Sequence, residues 1–256
     1  MVIDTTRFSK NSNNVILACH ITSVYDVNRN TTLEDDKYQL VQEWAESISQ
    51  RNLQGIIFHN NFSQETCDTY TNDSISFVKI AYNPRFNPNV YRYFVYKAFL
   101  EQYLHLFKHI FITDVSDVTV VKNPFIDSNF LENPTTIFCG DEPKKLNDSW
   151  MQAHSSHLRE KISGFADYET KFADHTLLNC GIIGGNAPLL FQFIEKLCAI
   201  HQYANIDNKT AYTGDMGAFN YLVRTQFNDQ LMHGAPVNTI FKGYENDRED
   251  CWFRHK

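Results

Sequence analysis

The sequence lacks the long apolar run that a membrane-spanning helix requires. No segment approaches the roughly 20 consecutive apolar residues that cross a bilayer, and the first fourteen residues are polar. The six cysteines are scattered along the chain, and no two of them form a CxxC pair. This spacing excludes a disulfide-dense scaffold and is typical of small buried thiols in a reducing compartment. We therefore expect a soluble, cytoplasmic protein with no membrane span.

A basic stripe is also missing. The chain has 23 Lys and Arg against 30 Asp and Glu, which gives a formal net charge of -7. This balance argues against a nucleic-acid partner. An acidic protein that binds a phosphorylated ligand must supply positive charge locally, from a metal ion or a few Lys and Arg side chains. Apolar residues make up 43% of the chain, enough for the core of one domain over residues 1–256.

The first half of the chain predicts a parallel sheet. Apolar runs at Val15–Thr22, 55–60 and 74–82 have the length of strands. Between the first two, apolar residues recur at intervals of three and four from Leu33 to Arg51, which predicts an amphipathic helix. This order is typical of parallel strands joined by crossovers. We predict an α/β fold with a mixed, mostly parallel central sheet flanked by helices, whose nucleotide-binding half covers residues 1–109.

The most informative stretch follows the next predicted strand. The apolar segment Ile110–Thr113 changes abruptly into a turn that contains Asp114 and Asp117. Ligands of open α/β sheets bind beyond the carboxyl ends of the strands, and hard oxygen ligands suit Mg²⁺ or Mn²⁺. The turn therefore predicts a metal site that holds a substrate diphosphate. The alternative is that one Asp caps the next element and the other is solvated.

Two cations precede this turn. Arg92 and Lys97 lie in a strongly aromatic segment, Val90–Phe107, that predicts a helix leading into the acidic strand. Each side chain could extend to solvent along its apolar stem, or reach a bound diphosphate.

The second half, residues 110–256, supplies further carboxylates. The predicted strand Thr136–Gly140 ends in Asp141 and Glu142. The segment Leu177–Gly185 resumes strand character after a polar stretch that predicts a helical insert or a loop. Asp215 begins a predicted helix, and an N-terminal cap is a sufficient explanation for it.

A histidine on a glycine-rich segment follows. His233 precedes a glycine, and Lys242 comes nine residues later. This arrangement predicts a third metal ligand and a cation for phosphate.

Four blocks together resemble the GT-A nucleotide-sugar glycosyltransferases. They are the acidic turn TDVSDV, the strand LLNCGIIGG, the helix start GDMGAFNYL and the later segment HGAPVNTIFKGYE. The chain is most similar to small soluble glycosyltransferases of bacteria and of large algal DNA viruses. It departs from the usual D-x-D motif of that fold, because Asp114 and Asp117 are three residues apart.

The resemblance implies a GT-A fold and a metal-dependent transfer of sugar from a nucleoside-diphosphate sugar to a hydroxyl of a glycan or other acceptor. It implies that Mn²⁺ or Mg²⁺ is held by Asp114, Asp117 and His233. Asp141 and Asp215 would orient the sugar or deprotonate the acceptor. The remaining expected contacts are to the donor, namely Thr22 and His59 for the nucleoside, Arg92, Lys97 and Lys242 for the diphosphate, and Asn179 and Gly181 for the sugar.

Other functions use similar residues. A metal-dependent nucleotidyltransferase or nucleotide-sugar hydrolase can place the same acids on the same kind of sheet. Such an enzyme usually has a basic or glycine-rich phosphate loop after the first strand, and ITSVYDVNRN is not one. A non-catalytic sugar-binding module is a further alternative. Retention or inversion at the anomeric carbon stays open.

Overall fold

The computed structural model describes residues 1–26, 30–204 and 214–256. Its centre is a sheet of eight strands, and two short two-stranded sheets accompany it. In chain order the strands are β1 (Ile3–Asp4), β2 (Asn14–His20), β3 (Tyr25–Asp26), β4 (Thr31–Thr32), β5 (Gly55–His59), β6 (Ile75–Ile80), β7 (His109–Thr113), β8 (Val118–Val120), β9 (Ile137–Lys145), β10 (Thr176–Asn186), β11 (Leu231–His233) and β12 (Phe253–His255).

The helices lie between these strands. The polar stretch after β9, predicted as a helical insert or a loop, contains three short helices. The helices are α1 (Gln39–Ser49), α2 (Gln64–Tyr70), α3 (Pro88–Tyr103), α4 (Ser128–Leu131), α5 (Ser149–His154), α6 (Ser156–Lys161), α7 (Phe165–Lys171), α8 (Ala187–Ala204) and α9 (Asp215–Leu222).

The strand order of the central sheet is β1-β6-β5-β2-β7-β10-β9-β11. Strands β6, β5, β2 and β7 are mutually parallel neighbours, as the first half of the sequence predicts. Strand β10 runs antiparallel between β7 and β9, and β11 pairs in parallel with β9. The prediction of a single α/β domain with a mixed, mostly parallel sheet flanked by helices is confirmed.

Two apolar clusters cover the two faces of the sheet. Alternate residues of β2 point to opposite faces: Val15 and Leu17 contribute to one cluster, and Ile16 and Ala18 to the other. Helices α3, α8 and α9 complete the first cluster. Helix α1 and the segment around Trp252 complete the second. The sheet is therefore buried on both faces, which accounts for its continuous apolar strands.

Helix α1 is also tied to the end of β7. The indole Nε1 of Trp44 donates a hydrogen bond to the Thr113 hydroxyl, with 2.8 Å between the two atoms. Both side chains are almost fully buried. This contact holds the last residue of β7 in position immediately before the acidic turn.

Strand β10 contains an irregularity beside that turn. Asn179 pairs with Gly140 of β9, but the next pair is Ile183 with Cys139, so the intervening residues of β10 are not matched on that side. On the other side, the Asp114 amide donates to the Gly181 carbonyl at 2.7 Å. The backbone of Gly181 therefore lies against the acidic turn, next to the irregular part of β10.

Candidate functional site

The acidic turn lies between β7 and β8, and strand β12 brings a histidine to it. Strand β12 pairs antiparallel with β8, with His255 opposite Val118. The next residue, Lys256, donates its amide to the Asp117 carbonyl at 2.9 Å. Pairing of these two short strands therefore places the His255 imidazole beside both carboxylates of the turn.

Asp114, Asp117 and His255 form the candidate metal group. One ligand atom from each lies within 4.8 Å of the others, and this is the group of three that the described residues offer. The distance from His255 Nε2 to Asp117 Oδ2 is 4.0 Å. The carboxylates are partly exposed, whereas the imidazole is buried. Two hard oxygen ligands and one imidazole form a donor set that suits a divalent cation such as Mn²⁺.

The His255 ring is in the protonation state that metal binding requires. Burial lowers the pKa of His255 to about 4, although the Asp114 carboxylate acts in the opposite direction. The ring is therefore neutral at pH 7 and offers a lone pair. Its Nδ1 atom is buried and has no hydrogen-bond partner among the residues that the structure describes. A buried polar atom in this condition is costly unless a ligand engages the ring.

Gly181 leaves room for this group. A methyl group built on its α-carbon would lie 2.6 Å from Asp114 Oδ2 and 2.9 Å from both Asn179 Oδ1 and His255 Cε1. Any other side chain at this position would occupy the space in which two of the candidate ligands face each other. The residues therefore fit a bound cation.

Arg92 of α3 holds the other oxygen of Asp114. Its guanidinium Nη1 pairs with Asp114 Oδ1, and its Nη2 donates to the Cys180 carbonyl at 3.3 Å. Burial acts to lower the pKa of Arg92, but the Asp114 carboxylate raises it, and the pKa lies well above its usual value. The pair leaves Asp114 Oδ2 on the side of Gly181 and His255. Arg92 thus orients a candidate ligand and adds positive charge to the site.

A pocket adjoins the acidic turn. Its wall includes the beginning of α3, where the Asn87 side chain accepts from the Asn89 amide. The amino end of a helix carries partial positive charge and favours bound anions. The pocket is lined by Cys19, His20, Ile21, Val24, Tyr25, Leu33, Asn87, Pro88, Asn89, Arg92 and residues 114–117. The pocket therefore extends from the candidate metal group toward the end of β2.

Six of the seven predicted donor-binding residues lie outside this pocket wall, and three of these are held by protein groups away from the acidic turn. Lys97 is ion-paired with Glu101 one turn further along α3. Thr22 is buried, and its hydroxyl donates to Asp35 Oδ1 at 2.6 Å. The third residue, His59, accepts a hydrogen bond from the Phe62 amide, and burial lowers its pKa to about 4. Their contacts are to neighbouring protein groups, whereas Arg92 contacts Asp114 of the acidic turn.

His233 is not part of the candidate metal group. Strand β11 lies next to β9 at the edge of the sheet, and there His233 Nδ1 is 2.9 Å from Asp141 Oδ2. In the candidate group that the described residues offer, His255 lies where the sequence predicted His233. The correction has a topological reason, since β10 and β9 separate β11 from the strand that leads into the acidic turn.

The other predicted site residues differ in how deeply they are buried around the candidate metal group. The Asn179 side chain oxygen accepts from the Gly181 amide at 2.7 Å, so both residues lie beside the candidate ligands. Asp215 is buried at the first residue of α9, and its Oδ1 is 3.0 Å from His154 Nε2. Lys242 is exposed, with its ammonium 5.1 Å from the centre of the Phe241 ring. Phe241 in turn packs against the His255 ring.

Sequence reasoning overlooked His255. The segment CWFRHK carries no metal-ligand spacing, so the sequence alone does not single out this histidine. No protein-family model matches this chain, and no curated protein sequence matches it either. Among the residues that the structure describes, no helix has the length and apolar character needed to cross a membrane.

Proposed function

We propose that this protein is a metal-dependent glycosyltransferase that moves a sugar from a nucleoside-diphosphate sugar to a hydroxyl of a glycan or other acceptor. The observation that carries the proposal is the group of Asp114, Asp117 and His255 beside a pocket walled by the amino end of α3. The mixed sheet order is compatible with a GT-A fold, which is part of the proposal. Mn²⁺ or Mg²⁺ is the proposed cofactor.

Asp114, Asp117 and His255 would hold the cation. When bound, it would supply the positive charge that neutralises the β-phosphate of the departing nucleoside diphosphate. The protein adds charge of its own through Arg92 and the partial positive end of α3. These groups are arranged before the ligand arrives, so they need little reorganisation during the reaction.

The sugar would lie on the β10 side of the group. Asn179 and the backbone of Gly181 are the polar groups of β10 that border the candidate ligands. A donor sugar attached to the diphosphate would meet these groups as it leaves the acidic turn. Asp215, on α9, would border the sugar on its more buried side. Its Oδ2 is 3.6 Å from the Cys180 sulfur.

A thermal-shift panel tests the proposal. Nucleoside diphosphates and nucleotide sugars are added with and without Mn²⁺, and a ligand that binds only the folded protein raises the melting temperature. At 100 times the dissociation constant the expected stabilisation is about 2.7 kcal/mol. The donor found in this way is then incubated with acceptors. Release of a nucleoside diphosphate with a glycosylated product indicates transfer, whereas release of pyrophosphate indicates a nucleotidyltransferase.

Asp117→Ala distinguishes an effect on the metal site from an effect on the stability of the fold. We expect this variant to lose metal-dependent transfer, because one of three ligands is gone. We expect its unfolding free energy to stay within about 0.5 kcal/mol of the wild type, since the side chain is partly exposed. Asp167→Ala, at an exposed carboxylate of α7, is the matched control. Unchanged transfer by Asp117→Ala would remove the acidic turn from the proposed site.

A further inference from the structure

Glu142 is a buried carboxyl that the preceding assignment does not use. It follows Asp141 on β9, and only 8% of the residue is exposed. Successive residues of a strand point to opposite faces, so Glu142 points away from the Asp141–His233 pair. Its Oε1 accepts from the Asn179 side chain at 2.9 Å. Within residues 1–26, 30–204 and 214–256, no hydrogen bond to its second oxygen is found.

One side chain connects Glu142 to the candidate metal group. The Asn179 amide nitrogen donates to Glu142, while its oxygen accepts from the Gly181 amide at 2.7 Å. The α-carbon of Gly181 faces Asp114 and His255. Glu142 is therefore held at a defined position, and Asn179 lies between Glu142 and the proposed cation. A base that acts on the acceptor must lie on this far side, because the donor sugar separates the acceptor from the diphosphate.

The surroundings of Glu142 suit a group that takes up a proton. Burial raises the pKa of Glu142, against the opposing effects of Asn179 and of the Lys144 and Lys242 ammonium groups; the carboxylate of Asp148 adds to the increase. A carboxylate accepts a proton more effectively as its pKa approaches the working pH. Lys242 also contributes to the lowered pKa of His255, so it lies near both residues.

The other candidate carboxylates, Asp141 and Asp215, are each in contact with a histidine. Asp215 is in contact with His154 through one oxygen and with the Cys180 thiol through the other. Asp141 is paired with His233. Both carboxylates are therefore already in contact with neighbouring side chains.

We infer that Glu142 is the general base of the transfer reaction and that the reaction inverts the configuration of the anomeric carbon. The inference rests on the proposed function. The acceptor hydroxyl gives its proton to Glu142 while its oxygen forms the new bond to the anomeric carbon. The bond from that carbon to the β-phosphate oxygen breaks, and its electron pair leaves with the nucleoside diphosphate. Attack from the face opposite to the leaving group requires a base on that face, and this place is assigned to Glu142 because Asn179 lies between it and the metal group.

Glu142→Gln is the discriminating variant. Glutamine keeps an oxygen that can accept from Asn179, but it cannot take a proton. We expect kcat to fall about 10²- to 10⁴-fold, with unchanged affinity for Mn²⁺ and the nucleoside diphosphate and an unchanged midpoint of urea unfolding. In the wild type, kcat/KM should fall at low pH as the base becomes protonated. This fall should be absent from Glu142→Gln. Glu132→Gln is the matched control. Glu132 is exposed and precedes the first residue of β9.

The stereochemistry of the product gives a second measurement. The anomeric proton coupling in the NMR spectrum of the product should show the configuration opposite to that of the donor. A product with retained configuration, or a Glu142→Gln variant with wild-type kcat, would overturn the inference while leaving the proposed transfer intact. Absence of transfer by the wild-type protein with every nucleotide sugar would overturn the proposed function and the inference together.

Discussion

Replacing Gly181 by alanine would perturb the candidate metal group without removing a ligand. The added methyl group would begin 2.6 Å from Asp114 Oδ2 and 2.9 Å from His255 Cε1. Contacts of this kind must lengthen to at least 3.0–3.4 Å. Asp114 has little freedom to retreat, because Arg92 holds its other oxygen. His255 is buried and held by the pairing of β12 with β8, so the two candidate ligands are pushed apart.

The expected effect of Gly181→Ala follows from these contacts. Disturbing the groups that orient metal ligands costs about 10–100-fold in metal affinity, and overpacking a tight site costs about 1–3 kcal/mol in stability. Isothermal titration with Mn²⁺ measures the first effect, and urea unfolding without metal measures the second. We expect both losses in the same variant.

Gly140→Ala is the matched control for this experiment. Gly140 lies on the adjacent strand β9, and a methyl group there would meet its nearest neighbour, the Ile182 side chain, at 3.5 Å, an ordinary contact distance. We expect Gly140→Ala to bind Mn²⁺ as the wild type does. Equal Mn²⁺ affinity in Gly181→Ala, Gly140→Ala and the wild type would refute the reasoning that Gly181 keeps the metal group open.

Two further predictions concern histidines. In a thermal-shift titration, His255→Ala should raise the Mn²⁺ concentration needed for half-maximal stabilisation at least about tenfold. His233→Ala should alter this concentration much less. A larger effect from His233→Ala would favour His233 as the third metal ligand. The second prediction is acid sensitivity. Burial lowers the pKa of His59 and of His201 to about 4, against about 6.5 in an unfolded chain. Below pH 6.5 the unfolded chain therefore binds protons that the folded protein excludes, and stability falls until the pH reaches about 4. Each histidine contributes up to about 1.4 kcal/mol per pH unit in this window, so urea unfolding should show a loss of a few kcal/mol between pH 7 and pH 5. A His201→Leu variant should lose less on acidification, and an equal loss in both proteins would contradict this account.

The sequence predicts the parallel half of the sheet well for a physical reason. Strands β2, β5 and β7 are buried on both faces, so their apolar runs stand out from the polar segments around them. The direction of β10 was not predictable from such a run, because an apolar strand has the same composition whichever way it runs. The polar segment after β9 was equally uninformative, since short helices such as α5 have no extended apolar periodicity.

The site was predictable only where its residues are close in sequence. Asp114 and Asp117 follow one strand, and the change from apolar to acidic residues identifies them. His255 reaches them through β12, a strand of three residues whose pairing with β8 is decided by the whole fold. His233 has a more suggestive local sequence, but β11 lies at the edge of the sheet beside Asp141. Glu142 follows Asp141 in the sequence, but its contact with Asn179 of the neighbouring strand β10 depends on the fold.

The pairing of β12 with β8 has a kinetic consequence. His255 and Asp114 are separated by more than half of the chain, so an ion held by both would act as a reversible cross-link across a very long loop. Detachment of three residues of β12 would remove one ligand and free the ion from the remaining two. The rate at which a chelator extracts the ion would therefore report how often this short strand separates from its neighbour, well before the rest of the domain unfolds.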